Sequence, residues 1–421
     1  MPSTAVMPTD SATLARQFGT PLIAHDLGVA RTRMRALRDL LPSPARLLYS
    51  FKANPLPELA QEFRLGGCGA EITSEGEMAA ARLAGFDLRE ALWGGPGKTE
   101  AAILTALSAG VRWFSCENWS DLARLATLTQ KAGEVPVQVL LRVNPAEPPH
   151  ARLAMSGVPS QFGFDEEDLL RPEARARLLA TGLCVRGVHV YFGTQVADVA
   201  ALVENTRRSL DVAARLEQSL GFVCAVVNAG GGFPWPYACN APAPNLTGLR
   251  EGLEQVWQAS PLSSTAELWF ESGRHLSASS GTLIARVLAV KSSRGRRFII
   301  LDTGIHHLGG MAGLGRIPRP AIDFQLLTED ADRCHPSPSL PPADVVGPLC
   351  TPLDSLGRGL ALPELREGDL LEVPNVGAYG LTASLTGFLS HPPPLEVAHR
   401  DGEILSVWRW RSGHEQVCKS P

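Results

Sequence analysis

The sequence predicts a parallel (β/α)8 barrel joined to a smaller, mostly antiparallel β domain. Three observations carry this. Over about residues 28–275, short apolar runs alternate with amphipathic stretches of helical period. The runs are apolar nearly throughout, as strands buried on both faces of a parallel sheet must be, and eight of them are enough to close a barrel. After residue 276 helical periodicity gives way to β-like runs between Pro- and Gly-rich connectors.

In chain order the candidate barrel strands are ARLLYSFKA (45–53), GAEITS (69–74), ALWGG (91–95), VRWFSC (111–116), VQVLLRVNP (137–145), VRGVHVYFG (185–193), VCAVVNAGG (223–231) and AELWFES (266–272). Between them lie helical segments at 56–66, 75–85, 99–110, 119–133, 201–221 and 246–260, several ending in the glycine expected of a helix C-terminus. The β-like runs of the second domain are GTLIARVLAV (281–290), RRFIILD (296–302), DLLEVPNVG (369–377) and LEVAHRDGEILSVWRW (395–410). The stretch 332–348 reads as a surface loop. The expected domains are therefore 28–275, the barrel, and 1–27 with 276–421, the β domain.

Composition narrows the function. The 421 residues are 44% hydrophobic and 19% charged, enough apolar material for a large core. A net charge of −4 argues against a general nucleic-acid binder. No apolar run approaches the roughly 18 residues of a membrane span, and the N-terminal sequence lacks the basic and apolar regions of a signal peptide. Eight cysteines without a C-x-x-C pair suit a reducing cytoplasm and argue against a metal site. A soluble, cytoplasmic enzyme is the expectation.

Lysine is scarce, at positions 52, 98, 131, 291 and 419 only, against 39 basic residues in all. Lys52 closes a barrel strand, at the end where barrels carry their chemistry. A partly desolvated amine there can form a Schiff base, although a strand-end lysine can also simply reach for water. Gly230, Gly231 and Gly232 follow a strand and let backbone N–H groups approach a phosphate, or make a plain tight turn. Glu271 and Arg274, with Gly273 between them, could serve two ends of one cofactor or form a local ion pair. Cys350, in GPLCTPLDSLG, could donate a proton or be a small hydrophobe, and Asp354 reads as a turn residue. Tyr379 follows a β-like run beside two small residues, as a phosphate contact or a core aromatic. His306 and His307, if on a strand, face opposite sides and read as structural.

Together, in this order and spacing, the motifs resemble the fold-type III pyridoxal-phosphate-dependent decarboxylases, the group holding diaminopimelate, ornithine and arginine decarboxylases. The blocks are F-K-A-N (51–54), G-V-H-V-Y-F-G-T-Q (187–195), G-G-G-F-P (230–234), E-S-G-R (271–274), G-P-L-C-T-P-L-D (347–354) and G-A-Y-G (377–380). The resemblance implies an alanine racemase-like barrel with a β domain. It implies that Lys52 holds pyridoxal 5'-phosphate, that Gly230, Gly231, Gly232, Arg274 and Thr194 bind its phosphate, and that Glu271 meets its ring nitrogen. Cys350 would protonate the carbon left by CO2. The site would form across a homodimer interface, with Cys350, Asp354 and Tyr379 from the partner subunit.

Two positions depart from the family pattern. Where the family has the histidine that stacks on the cofactor ring, this chain has Tyr191, with His189 two residues before it, and both are expected to contact the cofactor. Where relatives acting on basic amino acids carry an acid after the cysteine, this chain has Thr351. Losing that charge removes a contact worth roughly 1.5–3 kcal/mol. The expected substrate is therefore an aminoacyl group whose far end is neutral, acidic or masked, conjugated or tethered to a carrier protein, as in natural-product or siderophore pathways. Thr351 and Asp354 are the expected substrate-binding residues. A decarboxylase of the diaminopimelate type acting on a free amino acid, a racemase, and a catalytically dead decoy are the alternatives.

Overall fold

The computed structural model describes residues 10–133, 135–146, 153–154, 159–196, 198–309, 321–330, 333–336 and 338–411. The chain divides into two compact units: Arg31–Trp235 with Ala243–Leu276, and Met1–Ala30 with Pro236–Pro242 and Ser277–Pro421. The first long strand, β1 (Leu22–Asp26), belongs to the second of these.

The larger unit is a closed parallel barrel. Its strands are β2 (Ala45–Ser50), β3 (Gly69–Ile72), β4 (Leu92–Trp93), β5 (Trp113–Cys116), β6 (Gln138–Asn144), β7 (Cys184–Val190), β8 (Val226–Asn228) and β9 (Glu267–Ser272). Each pairs in parallel with its chain neighbour, and β9 returns to β2 to close the ring. All eight match candidate strands. Leu48, Leu92, Trp113, Leu140, Val226 and Trp269 pack as one buried cluster. Inward side chains of this kind make such a barrel a filled core, with the working end left to the loops after the strands.

The helices form where sequence chemistry starts and stops them. Ser74, Thr99 and Asn118 each accept a backbone N–H at the start of the helices Glu75–Leu83, Glu100–Ala109 and Trp119–Lys131. Gly110 and Gly221 end Glu100–Ala109 and Val199–Leu220 in the left-handed conformation that glycine tolerates. The helix Pro172–Leu179, absent from the sequence reading, carries its own start signal, a proline in its first turn followed by Glu173.

The smaller unit is a mixed nine-stranded sheet. It comprises β1 with β10 (Gly281–Ser293), β11 (Arg296–Leu301), β12 (Gln325–Leu327), β13 (Ala343–Val346), β14 (Ser355–Leu360), β15 (Leu370–Val373), β16 (Leu395–Arg400) and β17 (Glu403–Arg409). Most pairings are antiparallel; β1 with β16 and β11 with β13 are parallel. The long strand β10 pairs with β1, β11 and β15, and its Leu283, Ala285 and Val287 sit in the buried core. The expected surface loop at 332–348 is corrected in its second half: Ala343 and Val345 are fully buried on β13.

Candidate active site

Lys52 lies in a single 3-10 turn, Phe51–Ala53, that leaves the C-terminal end of β2. Its amine sits 3.1 Å from a carboxylate oxygen of Glu71 on β3, which is buried while the lysine remains half-exposed. One turn further on, Glu77 accepts hydrogen bonds from the backbone N–H and hydroxyl of Thr73, at 2.7 and 3.1 Å. Burial, and after it the neighbouring Glu71 charge, push the Glu77 carboxyl up to about 7. The amine is thus flanked by one carboxylate in contact and a second that titrates near neutrality.

At the end of β9, Glu271 is buried and accepts a 2.8 Å hydrogen bond from the Asn228 amide on β8. Nε2 of His189, on β7, lies 3.4 Å from the same carboxylate oxygen, and Nδ1 lies 2.9 Å from the Ser115 hydroxyl on β5. No arginine or lysine lies in ion-pair range of Glu271 among the described residues. A buried carboxylate without a cation is costly, and a protonated ring nitrogen is the partner such a site lacks.

The three glycines form a cradle that side chains would fill. Gly230 has φ +67°, and a Cβ there would come within 2.7 Å of the Tyr191 ring and 2.8 Å of the Val190 carbonyl oxygen. A Cβ on Gly231 would overlap the Glu271 carbonyl oxygen, and one on Gly232, at φ +95°, would lie 2.7 Å from the Gly193 carbonyl oxygen. The Val196 N–H donates to the Gly232 carbonyl at 3.0 Å, and the Gln195 side chain clamps the Trp235 backbone with two 2.9 Å bonds. This draws the Tyr191–Thr194 segment beside the glycine loop. Gly273 packs so closely on Ala53 and the Ser50 carbonyl that no larger residue fits, which sets Arg274 beside the Lys52 turn. Lysine amine, buried acid, glycine cradle and arginine therefore gather at one end of one barrel, and they fit the aldehyde, ring nitrogen and phosphate of pyridoxal phosphate.

The remaining expected residues are in the smaller unit. Cys350 is exposed. The Thr351 hydroxyl accepts the Leu353 N–H at 3.3 Å, so its polar atom serves its own turn. Asp354, expected at the substrate, is buried, and its two oxygens accept the N–H groups of Ile305 and Leu349, each at 2.8 Å. It ties the Cys350 loop to the turn holding His306 and His307. Of the reading for those histidines, only the strand placement is corrected. They lie in a turn, not on a strand, and their rings stack with centroids 3.6 Å apart. Burial, with repulsion from neighbouring histidines, lowers His306 to about 4 and His307 to about 3. Tyr379 is half-buried at φ +55°, its carbonyl oxygen accepting from Tyr237 at 3.5 Å. The Gly377 before it packs against the Ser277 carbonyl oxygen with no room for a Cβ.

Residues 155–158 and Cys418 lie outside the described residues. The seven described cysteines are free, and no group of metal-ligating side chains gathers among the described residues. None of the described helices is long and apolar enough to cross a membrane. Sequence reasoning missed Glu71, Asn228, Ser115 and Arg142. Each is a polar residue near the C-terminal end of an otherwise apolar barrel strand, and that was the available signal.

A family model described as the pyridoxal-binding domain of pyridoxal-dependent decarboxylases matches residues 27–278. The L-glutamyl-(BtrI acyl-carrier protein) decarboxylase of Niallia circulans is 33% identical over 401 residues, covering 94% of this chain and 92% of that protein. The diaminopimelate decarboxylase of Archaeoglobus fulgidus is 30% identical over 374 residues, covering 88% and 86%. The crystal structure of Helicobacter pylori diaminopimelate decarboxylase complexed with L-lysine shares the fold, with a TM-score of 0.82 at 24% identity and coverage of 96% and 97%. The chain belongs to the fold-type III pyridoxal-phosphate-dependent decarboxylases and is a carboxy-lyase.

Proposed function

We propose that this decarboxylase removes the α-carboxylate of an aminoacyl group tethered to an acyl-carrier protein, with an L-glutamyl group the leading candidate, in natural-product biosynthesis. The observation that carries this is the Cys350 loop. The position after the cysteine is Thr351, its hydroxyl engaged in its own turn, and the one carboxylate of the loop, Asp354, is turned inward. No acid on this loop is left to meet a distal ammonium. A tethered substrate has an uncharged thioester or amide at that end, and the Niallia circulans relative acts on such a substrate by its name. The protein works as a cytoplasmic homodimer, in which the Cys350 loop and Tyr379 of each subunit complete the other's site.

Lys52 would hold the cofactor's aldehyde carbon, Gly230, Gly231, Gly232, Thr194 and Arg274 its phosphate, and Glu271 its ring nitrogen. Tyr191 would cover a ring face in place of histidine. Bound there, pyridoxal phosphate would supply an electron sink for decarboxylation. Glu71, 3.1 Å from the Lys52 amine, would hold or take up a proton at that nitrogen. Glu271, fixed by Asn228, would hold a proton at the ring nitrogen. Cys350 supplies the proton that replaces the carboxylate at Cα.

The test is absorbance of purified protein with pyridoxal phosphate, before and after Lys52→Ala, followed by CO2 detection on free diaminopimelate, ornithine, arginine, lysine and glutamate, and on glutamyl-loaded carrier. The expected result is a visible band that Lys52→Ala removes and CO2 from the carrier-bound group alone. Rapid turnover of free diaminopimelate or ornithine would overturn the substrate assignment. Racemisation without CO2 would mark the racemase.

A further inference from the structure

We propose that His189 is a positioning residue for Glu271: a neutral imidazole carrying its proton on Nε2, set in that form by the Ser115 hydroxyl. This rests on the reading that the barrel binds pyridoxal phosphate, and gives His189 a role different from direct cofactor contact. The argument is one of geometry and sign. His189 is buried, with Nε2 3.4 Å from the Glu271 carboxylate and without a full hydrogen bond, and Nδ1 2.9 Å from Ser115 Oγ. A neutral imidazole has one N–H and one lone pair. With the proton on Nδ1, the Nε2 lone pair would face a buried carboxylate, and the two negative ends would repel. With the proton on Nε2, the N–H dipole points at the carboxylate and Ser115 donates to Nδ1. The second arrangement gives Nδ1 a hydrogen bond and sets an N–H, not a lone pair, 3.4 Å from the carboxylate.

The surroundings bar the doubly protonated form. Burial, then the Arg142 guanidinium, with Lys52 and Lys98 beyond it, hold the imidazole well below the usual histidine range, against an opposing pull from Glu71. Arg142 is itself fixed by a 2.9 Å bond to Glu117, so this positive charge does not move away. A cationic His189 would compete with the ring nitrogen for the same carboxylate, whereas a neutral one orients it. Contacts of this length commonly tighten once a site is loaded. Asn228 holds Glu271 from the other side at 2.8 Å, so two neutral donors set the position of one acid.

The experiment uses the full chain stripped of cofactor. Glutamine can place an amide N–H where the imidazole has Nε2, and asparagine reaches only as far as Nδ1. His189→Asn is expected to weaken binding of added pyridoxal phosphate about tenfold, the low end for one hydrogen bond to a charged group. His189→Gln is expected to recover most of that loss. Nitrogen-15 spectra of the imidazole should show the neutral Nε2–H form between about pH 6 and 8. Wild-type affinity in His189→Asn, or an Nδ1–H or cationic imidazole, would overturn the proposal. Should His189→Asn fail to fold, Ser115→Ala decides: mixed tautomers with weaker cofactor binding support it, and an unchanged spectrum and affinity refute it. If wild-type protein does not bind pyridoxal phosphate, the cofactor reading fails, and the nitrogen spectrum still tests the relay.

Discussion

Asp354 sits four residues after Cys350, where it could touch substrate or hold the loop, and replacing it separates the two. Its oxygens accept N–H groups from Ile305 and Leu349 at 2.8 Å each, and the side chain is only 3% exposed. A hydrogen bond to a charged group contributes roughly 1.5–3 kcal/mol, and here removal also strands two buried donors. The carboxylate further fills the space against Gly304 and Gly347, where no Cβ fits. Asp354→Ala should therefore cost about 3–6 kcal/mol, a large share of a domain's usual stability. Asp354→Asn keeps the shape but offers one acceptor in place of two, and should cost about half as much. Urea unfolding of the full chain would show both midpoints falling, the alanine variant further. Decarboxylation should lose kcat, because the Cys350 loop shifts, with KM little changed. A wild-type midpoint with a raised KM in Asp354→Asn would refute the reasoning and return Asp354 to the substrate.

Three other perturbations are informative. Gly231→Ala drives a Cβ into the Glu271 carbonyl, and should weaken pyridoxal phosphate binding about five- to 150-fold, as overpacking by about 1–3 kcal/mol implies, whereas Gly248→Ala, with nothing within 4 Å, should leave it unchanged; equal affinities in titrations of the two would refute the cradle. The folded Glu77 value of about 7 lies above its ordinary 4.5, so ionising it in the fold carries a cost that is absent below pH 4.5 and grows as pH rises to 7. Glu77→Gln should thus stabilise at pH 8 by up to about 3 kcal/mol and do nothing at pH 4.5, which urea midpoints at both pH values would check. His306 and His307 have folded values near 4 and 3, below the ordinary 6.5, so their contribution is complete above 6.5 and is lost as pH falls toward 4 and 3. Replacing both with Gln should flatten the loss of urea midpoint between pH 7 and 5, and identical slopes would show that the stacked pair does not titrate as described.

What the sequence made legible follows from where each signal is stored. The barrel strands are nearly all apolar and the helices between them amphipathic, so both periods survive in one dimension. The strand-end residues Lys52, Gly230 and Glu271 are legible for the same reason, because the strand locates its own C-terminal end. Asp354 is different. Its partners Ile305 and Leu349 are set by tertiary structure, and nothing local separates an acid capping a distant turn from one meeting a ligand. His306 and His307 misled because strand alternation was assumed where the chain turns, and a turn can stack neighbouring rings. Ala343–Val346 is too short to show a period, and the prolines before it suggested a loop. Glu71, Ser115, Arg142, His189 and Asn228 are the instructive set. Each interrupts a strand that must be buried on both faces, and a buried polar group needs a partner. Five such interruptions near strand ends imply a shared polar interior at that end of the barrel. The partners can be named only once the ring closes: β5 brings Ser115 to His189, and β8 and β9 bring Asn228 to Glu271.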